Sequence, residues 1–196
     1  MNFFLSLYHK DFNMEQNIIR KDMWIIAAKA GLALGLTSTV YMFATQLISG
    51  ASGFMISIFS FILWAAKFSG CIMLMKFFMG KFAESHPEVT NRDTFNFGKA
   101  AAILSALVYA AASFANVAFI SGDALVEQMH LVMQQMGSMM DSNTMAMMEK
   151  YIDYLPQYTF FSTLLYSFIF GVVLAFILSR NIPSRDPFAD YKPDQQ

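Results

Sequence analysis

A lysine lies close to the middle of one of the most apolar stretches of the chain. The segment SFILWAAKFSGCIMLMKFF, residues 60–78, is apolar enough to cross a membrane, yet it contains Lys67. An ammonium group at that depth costs about 3 kcal/mol on insertion scales, so something must compensate for it. An unpaired cation in apolar surroundings can hold an anion such as a lipid phosphate. Trp64 and Gly70 lie about one helical turn from Lys67, and we predict the three residues as a candidate site for an anion or an anionic lipid.

Two structural explanations for Lys67 stay open beside the anion site. The side chain can extend toward the membrane surface, or it can stay buried as an uncharged amine. Lys76, which is predicted to mark the cytoplasmic interface, is about 13 Å away along a helix, which is farther than the lysine side chain reaches. The predicted spans contain no Asp or Glu, so they offer no carboxylate partner and no proton carrier of the kind used by small exporters.

A second candidate site lies in a methionine-rich region before the last apolar segment. Thioether and imidazole groups bind Cu(I), and the candidate ligands are Met133, Met136, Met140 and His130. The same region also fits two amphipathic helices separated by a break at Asp141. The two apolar stripes are Leu125, Met129, Val132, Met136 and Met139, and then Met145, Met148, Ile152 and Leu155. Two helices lying on the membrane surface explain these methionines without a metal, and we prefer that interpretation.

The sequence shows no pattern typical of an enzyme or of a nucleic-acid-binding protein. It lacks a Ser/His/Asp arrangement, a histidine pair at metal-ligand spacing and a glycine-rich phosphate loop. The single cysteine, Cys71, supports neither a disulfide framework nor a thiolate metal site. The net charge of -1, without a basic cluster, argues against nucleic acid as a partner. We therefore predict a non-enzymatic protein and no cofactor.

The elements that must position these residues are transmembrane helices. The chain is 56% hydrophobic and only 14% charged, which is outside the usual range of a soluble domain. Segments long enough to span a bilayer are 24–48, 54–78, 97–120 and 158–178. We predict an all-α bundle of four transmembrane helices with a two-helix amphipathic extracytoplasmic loop at 121–157. A cytoplasmic segment, 1–23, precedes the bundle and a disordered cytoplasmic tail, 179–196, follows it; whether translation starts at Met1 or Met14 stays open.

The distribution of basic residues predicts the orientation of the bundle. Lys and Arg in short loops stay on the cytoplasmic side during insertion. They flank the first span, the second connection and the last span, at Lys10, Arg20, Lys21, Lys76, Lys81, Arg92, Lys99, Arg180, Arg185 and Lys192. The connection 121–157 is mostly acidic. This pattern predicts a multi-pass protein of the bacterial inner membrane with both termini in the cytoplasm.

Small residues at helical spacing indicate where the helices approach each other. Lipid provides no hydrophobic force between helices, so close packing depends on such residues. The candidates lie on the first, third and last spans: Gly31, Gly35, Ala102, Ala106, Ala110 and Gly171. They fit packing within one bundle, and they also fit a seam between two copies of the chain.

Several segments resemble a known family. NRDTFNFGKAAAILSAL, which enters the third span, and FSTLLYSFIFGVVLAFILSRN, which closes the last, are similar to segments of a small four-span inner-membrane family of Bacteroidota, catalogued as domain of unknown function forty-one ninety-nine. The resemblance covers about residues 24–180 and rests chiefly on FGKA at 97–100 and on the region of Gly171. It implies a four-span fold and brings no established activity or site residues.

The functional expectation follows mainly from these exclusions. We predict a non-catalytic accessory or scaffold protein that binds another membrane protein or a second copy of itself. Its partner would handle lipid-linked sugars. A small transporter or channel for an anionic solute or lipid, with Lys67 on its path, is the alternative. An envelope metal sensor acting through the methionine-rich loop is a further one.

Overall fold

The computed structural model describes residues 2–48, 54–136 and 141–182, with side chains described from 20 onward in the first range and from 57 onward in the second. The elements are α1 Asn2–Ile48, α2 Phe54–Ser85, α3 Asn91–Asn116, a π-helical turn Val117–Ser121, α4 Gly122–Met136, α5 Ser142–Asp153 and α6 Leu155–Ser179. The described residues contain no strand. The predicted all-α class is confirmed.

Four stretches of helix are long and apolar enough to cross a membrane. They are Arg20–Ile48, Ser57–Ser85, Asn91–Met136 and Leu155–Ser179. The chain is therefore a multi-pass membrane protein, with the predicted spans inside the observed helices. The predicted turn between the first two spans, at 49–53, and the tail beyond Ile182 lie outside the described residues.

The helix that contains the third predicted span extends well beyond that span, because α3 continues through the π-helical turn into α4. Gly122 follows that turn with helical dihedral angles. A β-carbon on Gly122 would clash with the carbonyl oxygen of Val117. Glycine thus permits the wider turn, and the chain remains helical where the sequence predicted a loop to begin.

Helix α3 forms the centre of the bundle and packs against α1 on one side and α6 on the other. On the α1 side, a β-carbon on Gly31 would lie 2.6 Å from Cβ of Leu104, and one on Gly35 would lie 2.7 Å from Cβ of Val108. The backbones can approach this closely only because both residues are glycine.

The α3–α6 contact uses small residues on both helices. A β-carbon on Gly171 would lie 2.7 Å from Cβ of Ala102, and one on Gly98 would lie 2.5 Å from Cβ of Ala175. Ala106 and Ala110 are fully buried farther along α3. The structure therefore places all six predicted packing residues in contacts within one chain.

The best-packed part of the bundle lies where α2 connects to α3. We call it the closed half and define it by Met79, Phe82, Val89, Phe97 and Ala101, all of which are buried. The Phe82 and Phe97 rings stack with centroids 4.9 Å apart.

Hydrogen bonds at the start of α3 tie this end together. Thr90 caps the helix in a reciprocal capping box with Asp93. Asn91 Nδ2 donates a hydrogen bond to the carbonyl oxygen of Arg180, just beyond α6. The α2–α3 connection is thereby joined to the end of the last span.

The predicted apolar stripe of α5 is confirmed. Met145, Met148 and Ile152 are half-buried, and Leu155 at the start of α6 is buried. Asp141 caps the helix by accepting a hydrogen bond from the backbone N–H of Thr144 at 2.9 Å.

The predicted stripe of α4 is only partly correct. Leu125 and Met129 are half-buried, but Val132 and Met136 are exposed and Met133 is buried instead. Met139 lies outside the described residues. Because α4 continues from α3, the π-helical turn sets its rotation and brings Met133 to the inner face.

Candidate functional site

A cavity of about 560 Å³ lies between α2 and α6. These two helices make few contacts with each other, so the space between them is bounded at the back by α3 and α1. The lining residues are Leu34, Ser38, Trp64, Lys67, Phe68, Cys71, Met75, Ala102, Ser105, Tyr109, Ser162, Thr163, Tyr166, Ser167, Phe170, Gly171 and Leu174. The volume is within the range of small-molecule binding sites.

Lys67 faces this cavity and is held between two tyrosines. Its Nζ atom lies 4.8 Å from the ring centroid of Tyr41 and 5.1 Å from that of Tyr109. Cation–π contacts contribute about 1 kcal/mol each at a partly exposed site, so the pair offsets much of the cost of placing the ammonium in a membrane. The rings carry no net charge, however, and the positive charge of Lys67 remains unbalanced.

No carboxylate pairs with Lys67 within the described part of the chain. The ion pair found there joins His86 Nε2 to Asp22 at 3.7 Å, and both residues lie at the α2–α3 end. Lys67 is therefore a cation held by aromatic rings and left without a counter-ion.

The cavity includes two of the three residues predicted as the candidate anion site, and Gly70 is not part of it. Trp64, Lys67 and Cys71 all line the cavity, and Ser38 of α1 lines it as well. Gly70 does not line the cavity, and a β-carbon built on it would have nothing within 4 Å. Gly70 follows Lys67 by three residues, which is a rotation about 60° short of a full helical turn. Gly70 therefore points away from the face of α2 that Lys67 shares with Cys71.

Aromatic rings form the rim of the cavity on the α2 side. Trp64 stacks between Phe61 and Phe68, with ring centroids 5.8 and 5.6 Å away. The Phe68 ring packs against the ring of Phe170 on α6, with centroids 5.7 Å apart. Since 51% of Trp64 and 40% of Phe68 is exposed, these rings border the surface of the bundle that faces lipid.

Hydroxyl groups from α3 and α6 form another wall. We call Ser105, Thr163 and Ser167 the hydroxyl patch; all three line the cavity. Ser and Thr in helices commonly bond to the carbonyl one turn back, as Thr37 and Thr39 do here at 2.8 and 2.9 Å. The patch hydroxyls make no such bond in the structure.

The candidate metal ligands are distributed over different faces of α4. Met133 is buried, whereas His130 and Met136 are exposed, and Met140 lies outside the described residues. Within the described ranges, no cluster of three or more His, Cys, Asp or Glu can hold a metal ion. A Cu(I) site based on thioethers stays a prediction.

Two parts of the site were missed by the sequence prediction. The first is the role of Tyr41 and Tyr109, since only the fold brings α1 and α3 beside Lys67. The second is the hydroxyl wall on α6, for which a signal exists: Thr163, Ser167 and Gly171 recur at intervals of four. Lys29, a cation within the predicted span 24–48, is also absent from the prediction; it is exposed on α1 outside the cavity.

Comparisons with known proteins identify no relative. No family model, no curated protein and no solved structure matches the chain. The resemblance to the Bacteroidota family stays a prediction, and function must be argued from the cavity.

Proposed function

We propose that the protein is a non-catalytic membrane protein that binds an anionic amphiphile in the cavity between α2 and α6. Lys67 takes the anionic head, and the apolar tail extends into the bilayer. The observation that carries this proposal is the unbalanced charge of Lys67, which faces a cavity large enough for a ligand.

Electrostatics favour an anion as the missing partner. Charge interactions are stronger in a medium of low dielectric constant than in water, and the ammonium of Lys67 keeps hydrogen-bond donors beside the two ring contacts. A phosphate or carboxylate fits both requirements. It would turn an isolated charge in the membrane into an ion pair.

The shape of the cavity favours a lipid over a soluble ion. The apolar residues on its walls include Leu34, Phe68, Met75, Phe170 and Leu174. Because α2 and α6 scarcely touch, a molecule in the bilayer has lateral access to Lys67 without crossing water.

We place this binding role in an accessory protein of the bacterial inner membrane, with both termini in the cytoplasm. The exposed surfaces of α2 and α6 leave room for another membrane protein beside the cavity. A bound anionic lipid would be presented there to a partner that handles lipid-linked sugars. Coexpression and purification in mild detergent should then yield a reproducible complex.

Lys67 variants test the lipid-binding proposal. We expect Lys67→Met to lose most of the anionic lipid that copurifies with the protein, and Lys67→Arg to retain it. Lys29→Met is the matched control, because it removes an exposed cation of α1 and should leave bound lipid unchanged. Native mass spectrometry of protein released from nanodiscs made with phosphatidylglycerol measures the bound lipid directly.

Equal retention of anionic lipid by wild type and Lys67→Met would contradict the proposal. Equal losses in Lys67→Met and Lys29→Met would contradict it too, since general attraction to anionic membranes would then explain the binding.

A second candidate function is transport of an anion or an anionic lipid. It is favoured by the position of Lys67, 13 residues after the start of α2 and nine before Lys76, because transporters often bind their substrates near the middle of the bilayer. Liposomes containing the protein would then move a fluorescent anionic lipid between leaflets, and Lys67→Met would stop it. Unchanged movement in that variant removes this candidate.

A further inference from the structure

We infer that the hydroxyl patch, Ser105, Thr163 and Ser167, selects among anionic lipids by binding hydroxyl groups of the head group. The ligand class is then a phosphodiester lipid with a hydroxylated head, such as a glycerol or sugar phosphate. This inference rests on the proposed function, since it assigns the neutral part of a ligand whose charged part binds Lys67.

The first observation is the state of the patch hydroxyls. Neighbouring hydroxyls in the bundle have partners: Ser162 donates to the carbonyl of Thr159 at 3.2 Å, and Ser113 donates to the Met42 sulfur at 3.6 Å. The patch hydroxyls have no hydrogen bond within the described ranges, although helical geometry offers each a carbonyl one turn back. They are available to a ligand.

The second observation is their grouping. Thr163 and Ser167 are four residues apart on α6 and therefore lie on one face of that helix. Ser105 lies on α3, three residues after Ala102, the residue that packs against Gly171 of α6. The close contact of the two helices brings hydroxyls from both to one cavity wall.

The third observation is the position of the patch relative to Lys67. Lys67 is on α2, and the cavity separates α2 from α6. A head group that pairs its phosphate with Lys67 can extend its neutral portion toward α3 and α6. A bare phosphate monoester has nothing to place there.

Hydroxyl side chains suit hydroxylated head groups because each can donate one hydrogen bond and accept others. Sites that hydrogen-bond a ligand hydroxyl discriminate against the analogue without it, whose binding leaves polar groups unpaired. Single hydrogen bonds between helices in membranes have modest strength, so we expect a preference of about three- to tenfold.

The test compares two lipids of equal charge. Phosphatidylglycerol and phosphatidylethanol are both phosphodiesters with one negative charge, but only the first has head-group hydroxyls. Competition between them for the full-length protein, in nanodiscs of mixed composition, is read by native mass spectrometry. We expect wild type to prefer phosphatidylglycerol about three- to tenfold.

Variants of the patch separate selection from charge pairing. The double change Thr163→Val and Ser167→Ala should bring the preference close to one while phosphatidylethanol still binds, which also shows that the variant is folded. Ser162→Ala is the matched control: Ser162 lines the same cavity on the same helix, but its hydroxyl already bonds to Thr159. It should leave the preference unchanged.

The outcomes distinguish the two proposals. Equal binding of both lipids by wild type, with both lost in Lys67→Met, overturns the selection role and leaves the lipid site intact. An unchanged preference in the double variant overturns it as well. Failure of both lipids to bind wild type overturns the lipid site itself.

Discussion

The closed half and the part of the bundle that lines the cavity, here called the cavity half, are packed in opposite ways. In the closed half, Phe82 and Phe97 are fully buried and stacked on each other. In the cavity half, Trp64 and Phe68 are about half-exposed, and Lys67 lies beside an open space. One end of the molecule maximises contact, while the other keeps a cavity and an unbalanced charge.

The difference indicates where the protein holds its fold and where it acts. Packing and small-residue contacts supply most of the stability of a membrane bundle, and they are concentrated around α3 and the closed half. The cavity half costs stability, because an ammonium in the membrane is only partly compensated by aromatic rings. A costly group beside an open cavity is the expected arrangement of a binding site.

Truncating one phenylalanine in each half tests this contrast most directly. Phe82→Ala removes a fully buried ring and should lower the free energy of unfolding by about 3 kcal/mol or more. Phe68→Ala removes a ring at the cavity rim, 40% exposed, and should cost less than about 1 kcal/mol. Unfolding in mixed micelles with increasing SDS measures both. Similar costs for the two variants would break the comparison.

Two glycines give the next largest effect. Gly98→Ala places a methyl group 2.5 Å from Cβ of Ala175, and the resulting overpacking should cost about 1–3 kcal/mol. Gly80→Ala is the control in α2, where a β-carbon meets nothing within 4 Å. It should be neutral or stabilise by up to about 1 kcal/mol through helix propensity. The same SDS titration measures the free energy of unfolding of both variants. A stabilising effect of Gly98→Ala would show that α3 and α6 can move apart without loss of stability.

Removing the charge from the cavity half should have a smaller effect of opposite sign. Lys67→Met eliminates a membrane charge but also two cation–π contacts, so we expect a net gain of about 1 kcal/mol in the free energy of unfolding. Lys29→Met, outside the cavity, should change it less. A lower free energy of unfolding in Lys67→Met would mean that Lys67 stabilises the packing of the bundle. The lysine would then not be a group that lowers stability for the sake of binding.

The smallest expected effect lies outside both halves, at the cap of α5. Hydrogen bonds from Thr144 lower the pKa of Asp141 below its ordinary value of 3.8. The cap therefore stabilises α5 fully above that value, and this contribution is lost as the pH falls through the lower pKa of the folded state. The protection factors of the first α5 amides, which correct the exchange rate for the pH dependence of intrinsic exchange, should fall over that range in wild type.

Asp141→Asn keeps a capping side chain without the carboxyl group and should remove this pH dependence. Asp141→Asn should alter neither Phe82 packing nor lipid binding. A change in either would show that α5 is coupled to the bundle.

Much of the architecture was predictable because membrane helices follow from local composition. The four spans, the stripe of α5 and the small residues of α1, α3 and α6 are all visible as hydropathy or spacing. The stripe of α4 was predicted less well. Its rotation depends on the π-helical turn before it, which Gly122 permits but which the hydropathy and spacing of α4 do not indicate.

The candidate site was likewise predictable from the sequence only in part. Apolarity and helical spacing were enough to identify Lys67 as an anomaly and to select Trp64 as its neighbour. Only the tertiary structure decided that Tyr41 and Tyr109 hold the ammonium, that Gly70 faces elsewhere and that hydroxyls of α3 and α6 share its cavity. The physical reason is that a span is selected by the free energy of each segment in lipid, which is a local property. A cavity depends on how closely the small residues of α3 let its neighbours approach, and that is a property of the whole bundle.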